Sequence, residues 1–151
     1  MITPKYYTVV SGLGNSEYEL VAFDKALLNA GIGDYNLVKV SSIIPASCSF
    51  RKEIDLAKGS IVFAAYVSKT VCDGEVGSTA VSIAVSTCDE ENGVIFEASS
   101  DDNNAKDIAQ KMCREAMDNR KRKIKEVITS STFIKGYPQQ YTCGISAVVL
   151  W

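Results

Sequence analysis

Between residues 80 and 86 large and small side chains alternate. Val81, Ile83 and Val85 fall on one face, and Ala80, Ser82, Ala84 and Ser86 on the other. Period two is the signature of a β-strand, and a strand with neither face charged has to be covered on both sides. Its large face calls for an apolar layer, while its small face suggests an element that packs closely. A chain of 151 residues is long enough to supply those layers, since a domain of this size buries about 70% of the surface its unfolded chain exposes. With 46% hydrophobic and 23% charged residues, the composition excludes a disordered tail, a collagen and a coiled coil.

Other elements follow from local signals. Residues 6–11, rich in β-branched and aromatic types, predict a first strand that Gly12-Leu13-Gly14 breaks. Asn15 or Ser16 then offers an N-cap for a helix with Leu20, Phe23 and Leu27 at helical spacing, widened by Val21 and Leu28 and stopped at Gly31. Asn36 to Ser42 and residues 60–67 are strand-like, and residues 78–97 read as a hairpin closed at Glu90-Glu91-Asn92-Gly93. Ala105, Ile108, Ala109, Met112, Cys113, Ala116 and Met117 recur at i, i+3, i+4, predicting a second helix behind Asp101 and Asp102. Its basic end, from Arg120 to Lys125, reads as a solvated terminus complementing the dipole. Residues 141–151 are a last, apolar strand. The fold class is α+β, a sandwich of helices and strands in a single domain.

What the chain lacks narrows its chemistry. There is no histidine, which removes Ser-His-Asp and Cys-His triads and most zinc sites; acid–base work falls to carboxylates, Lys, Tyr or a cofactor. Five scattered cysteines without a C-x-x-C pair read as reduced thiols packed as small hydrophobes. A net charge of −2 leaves no basic footprint for nucleic acid. No apolar run approaches the ~20 residues of a membrane span, and the start lacks a signal peptide's apolar core, so the expected location is cytoplasmic. Gly12-x-Gly14 lacks the third glycine of a dinucleotide fingerprint, no Walker pattern occurs, and Gly74-Glu75-Val76-Gly77 is a turn.

One segment carries more than local structure. Asn36-Leu37-Val38-Lys39-Val40-Ser41-Ser42-Ile43-Ile44-Pro45 ends a strand on two serines before an apolar pair and a proline. Preceded by Ala22-Phe23-Asp24-Lys25-Ala26-Leu27 and Gly31-Ile32-Gly33, and followed by Gly93-Val94-Ile95-Phe96-Glu97 and an apolar C-terminal strand, it resembles the pyruvoyl-dependent arginine decarboxylase family over most of the chain.

The resemblance implies a proenzyme that cuts itself between Ser41 and Ser42, giving a β chain (1–41) and an α chain (42–151). Residue 42 becomes a covalent pyruvoyl group that forms a Schiff base with the substrate and acts as electron sink, with no metal. It further implies that Glu97 donates the proton to the carbanion carbon, that Asp24 binds the guanidinium, and that the Asn36 amide holds the Ser41 carbonyl during cleavage. The implied fold is a four-layer αββα sandwich. It assembles as a homotrimer or a dimer of trimers with sites between subunits, and turns L-arginine into agmatine and CO2 for polyamine synthesis or acid resistance. Family members often carry two prolines after the apolar pair; here the second is Ala46. Two alternatives stay open: decarboxylation of another amino acid, and an uncleaved relative that only binds a ligand.

Overall fold

The computed structural model describes residues 2–151. Its elements, in chain order, are β1 (Tyr6–Ser16), α1 (Glu19–Asn29), β2 (Asn36–Lys39), β3 (Ile43–Ile44), β4 (Ser49–Phe50), β5 (Ile61–Val71), β6 (Val76–Ser86), β7 (Gly93–Ser100), α2 (Ala105–Asn119), β8 (Ile124–Lys135) and β9 (Tyr141–Leu150). They form two sheets, ordered β2-β5-β9-β1-β4 and β3-β7-β6-β8. The sheets stack face to face, with α1 outside the first and α2 outside the second. The result is a four-layer αββα sandwich.

The alternating strand sits where its two faces require. On β6 the large residues Val81 and Ile83 pack between the sheets with Ile95, Val148 and Leu150. Its small residues Ala80 and Ala84 lie under α2, against Ala105 and Ala109 and against Cys113 and Met117 respectively. The hairpin is present as β6 and β7, antiparallel with Ser82 opposite Phe96. Residues 141–150, read as a closing strand, are central rather than peripheral: β9 pairs with both β1 and β5.

Three local expectations need correction. Gly12 and Gly14 do not break the first strand, which runs on to Ser16. They are there because α1 lies directly on β1: a Cβ at Gly14 would stand 2.4 Å from the Ala26 nitrogen and 2.5 Å from the Ala22 oxygen. For the same reason α1 is seated by Ala22 and Ala26, both fully buried, while Leu20, Val21 and Leu28 of the expected stripe are exposed. Its N-cap is Tyr18, without a side-chain cap bond. Gly31, at φ +80, does end it in the left-handed conformation. Gly14→Ala should therefore cost about 1–3 kcal/mol by overpacking, read as a lower urea midpoint; an unchanged midpoint would mean that α1 does not rest on this strand.

The basic run is the second. Helix α2 stops at Asn119; beyond it Arg120, Lys121, Lys123 and Lys125 are exposed as expected, but Arg122 is half-buried and its Nη1 donates to the backbone and side-chain oxygens of Asn92 at 2.8 and 2.7 Å, tying the run to the β6–β7 turn. Strand β8 follows at once, although its Val127, Ile128, Thr129, Thr132 and Phe133 were signal enough for a strand. The third concerns the cysteines. All five are free, but only Cys113 and Cys143 are buried, and Cys72 and Cys88 are exposed.

Candidate active site

The serine pair occupies the crossing between the two sheets. Strand β2 belongs to the first sheet, with Lys39 beside Ala64 and the Val40 N–H on the Ala64 carbonyl at 3.0 Å. Strand β3 belongs to the second, with Ile43 opposite Val94 and the Ser42 carbonyl accepting from the Ile95 N–H at 2.8 Å. Stacked sheets lie about 10 Å apart, and three residues extend at most about 10–11 Å. Val40 to Ser42 make this crossing outside any strand, and the chain bends at Ser42. Ser41 is exposed and makes no backbone–backbone hydrogen bond among the described residues, so its carbonyl is open to attack. Ser42 is half-buried.

The same register brings Glu97 to Ser42. Continuing the β3–β7 pairing puts Ser42 opposite Ile95, and Glu97 is the next residue on that face of β7. Such diagonal neighbours are about 7–8 Å apart, within reach of a long side chain. Glu97 pairs with Val81, whose side chain lies between the sheets, so its carboxyl is at the edge of the inter-sheet apolar layer. Burial there pushes its pKa above the ordinary glutamate value, while the Lys39 ammonium and a bond from its own backbone N–H pull the other way. Lys39 also stands 4.8 Å from the Tyr66 ring centroid, on the face of the first sheet that packs against α1. Residue patterns did not single Lys39 out, although it lies inside the serine motif.

An apolar cleft of about 200 Å³ flanks the crossing, lined by Val40, Ile43, Pro45, Phe63 and Leu150 among others. The turn after the motif closes without a second proline, since the Cys48 N–H reaches the Pro45 carbonyl at 3.0 Å across Ala46. Cys48 offers no competing nucleophile: burial pushes its thiol up to about 11.

Two expected residues are not brought here within one chain. Asn36 stands at the far end of β2, about 16 Å of extended strand from Ser41, and its Nδ2 donates to the Gly59 carbonyl at 2.7 Å. Asp24 lies on the exposed side of α1, roughly opposite the Ala22 and Ala26 face that meets the sheet. It shares that side with Leu20 and Leu28, one helical turn away in each direction and 79% and 49% exposed.

A family model described as "Pyruvoyl-dependent arginine decarboxylase (PvlArgDC)" matches residues 6–151. The chain belongs to the pyruvoyl-dependent arginine decarboxylase family. Curated relatives of that name agree along the whole length. One from Methanopyrus kandleri is 35% identical over all of this chain and 99% of the relative. One from Methanothermobacter thermautotrophicus is 37% identical over 99% and 98%, and one from Methanococcus aeolicus 34% identical over 98% and 90%. As a member of this family the chain is an enzyme of the carboxy-lyase class with a pyruvoyl cofactor. The crossing fits such a group: an adjacent serine pair, a Ser42 carbonyl anchored on the Ile95 N–H, and a carboxyl whose pKa is raised by burial. No helix among the described residues is long and apolar enough to cross a membrane.

Proposed function

We propose that the chain is a self-processing arginine decarboxylase whose pyruvoyl group derives from Ser42, converting L-arginine to agmatine and CO2. The observation that carries this is the shared face of Ser42 and Glu97 at the sheet crossing, in a chain of this family. In maturation, Ser42 Oγ attacks the Ser41 carbonyl carbon; the C–N bond breaks as the ester C–O bond forms, and the nitrogen takes the proton. Loss of the residue-42 Cα proton expels the Ser41 carboxylate and leaves a dehydroalanine. Its imine tautomer takes up water and releases ammonia, so the chain becomes residues 1–41 and 42–151.

The pyruvoyl carbonyl supplies the electron sink for loss of CO2. Glu97 holds its proton at the crossing until the substrate carbon can accept it, which requires the carboxyl to be neutral. Asp24 suits a guanidinium, which a carboxylate takes in two parallel hydrogen bonds. Because Asp24 faces away from its own crossing, it serves a site completed by a second copy, in a homotrimer or a pair of trimers. The stripe Leu20–Asp24–Leu28, one carboxylate between two exposed leucines, has the composition of such a contact. Asn36 likewise reaches a scissile carbonyl only on a neighbouring copy, and only if its amide leaves Gly59.

Mixing two defective chains tests this. Asp24→Asn and Glu97→Gln proteins should each release little CO2 from arginine alone. Co-assembled at random in equal amounts, they should regain intact residues at about a quarter of the shared sites. No recovery on mixing, with both chains processed and assembled, would sink the shared site. Turnover of lysine, ornithine and histidine beside arginine checks the cationic side chain.

A further inference from the structure

At one end of the sandwich the inter-sheet layer opens into a cavity of about 170 Å³; a cavity of about 150 Å³ is enough to hold a benzene molecule. Both sheets contribute to it. From the first comes Tyr7, which pairs with Leu150 and belongs to the inter-sheet cluster. From the second come Ile44, opposite Gly93, and Val85, opposite Glu126. Cross-strand partners share a face, and the period of two from Ile83 and Ile95 turns these pairs toward the inter-sheet space. Cys48 and the β6–β7 turn, with Asp89 and Glu91, complete the wall.

Tyr7 is 5% exposed, and Phe50 meets its ring edge-on with 5.8 Å between centroids. Thr142 Oγ1 is the one side-chain nitrogen or oxygen among the described residues that is both sealed and without a hydrogen-bond partner. The Tyr7 hydroxyl has no partner among the described residues either, so it is not sealed. It opens into the cavity that its side chain lines. A buried phenol normally finds a partner for its hydroxyl, and here the cavity is where that partner sits.

The charge around it is mostly of one sign. Three carboxylates, Asp89, Glu91 and Glu126, and one ammonium, Lys125, line the cavity. Glu91 is already engaged, by the Ser86 hydroxyl and by Arg122 Nε at 3.7 Å. Asp89, Glu126 and Lys125 make no ion pair among the described residues, which leaves two carboxylates to one ammonium. Burial, the Glu126 carboxylate and Cys48 all push the Tyr7 phenol above its ordinary pKa, so it stays a neutral hydroxyl with lone pairs to offer. A hydroxyl oxygen and a free carboxylate are acceptors suited to a cationic N–H donor. Ile44 and Val85 add apolar surface.

We propose that this cavity is a second binding site, for a small alkylammonium cation. Its N–H groups donate to the Tyr7 oxygen and the Glu126 carboxylate, and its alkyl part rests on Ile44 and Val85. Ile44 stands between this site and Ser42, two residues back on the same face, and keeps it apart from the crossing.

Processed full-length protein is titrated with diethylammonium, a secondary amine with two N–H donors that forms no neutral Schiff base with a pyruvoyl carbonyl. Diethyl ether, its uncharged counterpart, and butyrate, an anion of similar size, are the controls. Ligand-detected NMR and calorimetry should show one site per chain for diethylammonium and none for either control, with affinity falling as salt is raised. Glu126→Gln should weaken binding about tenfold and Tyr7→Phe about fivefold. Without ligand, Tyr7→Phe should melt no lower than the parent, because its hydroxyl has no protein partner to lose, and CO2 release from arginine should be unaffected in both variants. Failure of diethylammonium to bind at millimolar concentration, equal binding of the ether, or binding that survives both substitutions overturns the proposal. Since neither variant touches the crossing, that failure would leave the decarboxylase reading intact.

Discussion

A Ser42→Ala chain is expected to stay in one piece of 16.3 kDa, while the unaltered protein separates under denaturing conditions into residues 1–41 and 42–151. The reason is the atom removed. Cleavage of an unreactive peptide without an external nucleophile needs a hydroxyl beside the scissile carbonyl, and alanine at 42 has none. Folding should survive, because the contact that anchors the crossing is the Ser42 backbone carbonyl on the Ile95 N–H, which alanine keeps. The uncut chain has no pyruvoyl group, so CO2 release from arginine should fall to background. Ser41→Ala is the matched control: only the carbonyl of residue 41 takes part, and cleavage should persist. Intact mass decides the matter, and fragments from Ser42→Ala at wild-type rate would refute the assignment.

Glu97→Gln should separate maturation from turnover. The amide fills the same space at the edge of the inter-sheet layer, so the chain should still cut itself. It holds no transferable acidic proton, and loss of a positioned general acid typically lowers turnover about 10²–10⁴-fold. The pH profile carries the sign. Burial raises the Glu97 pKa, so the neutral, proton-donating form persists to higher pH than in a free glutamate. Activity should fall as pH rises through that raised value. The Lys39 cation favours the carboxylate and thus holds the pKa down. Lys39→Met should move the alkaline limb of the kcat profile to higher pH, which a merely structural lysine would not do. A limb that stays in place in Lys39→Met would remove Glu97 as the group being titrated.

Much of this was legible along the chain because it is local. The alternation at 80–86, the hairpin behind it, the spacing of α2 and the left-handed stop at Gly31 depend on neighbours within a few residues, and each is present in the fold. Where local reading failed, a distant contact was responsible. Gly12 and Gly14 look like a break until α1 is laid on them, and Leu20 and Leu28 look like core until Ala22 and Ala26 take the sheet. Arg122 belongs to a basic run in the sequence and to Asn92 in the fold.

The site divides in the same way. From the sequence alone came the adjacent serines, the carboxylates at 24 and 97, the absence of histidine and the family likeness, because these are matters of residue identity and order. Only the tertiary structure decided that Val40 to Ser42 cross from one sheet to the other, that Glu97 shares a face with Ser42, and that Asp24 and Asn36 do not reach that face within one chain. Sheet membership and register are set by pairing between segments tens of residues apart, and no periodicity within a segment records which partner it will take.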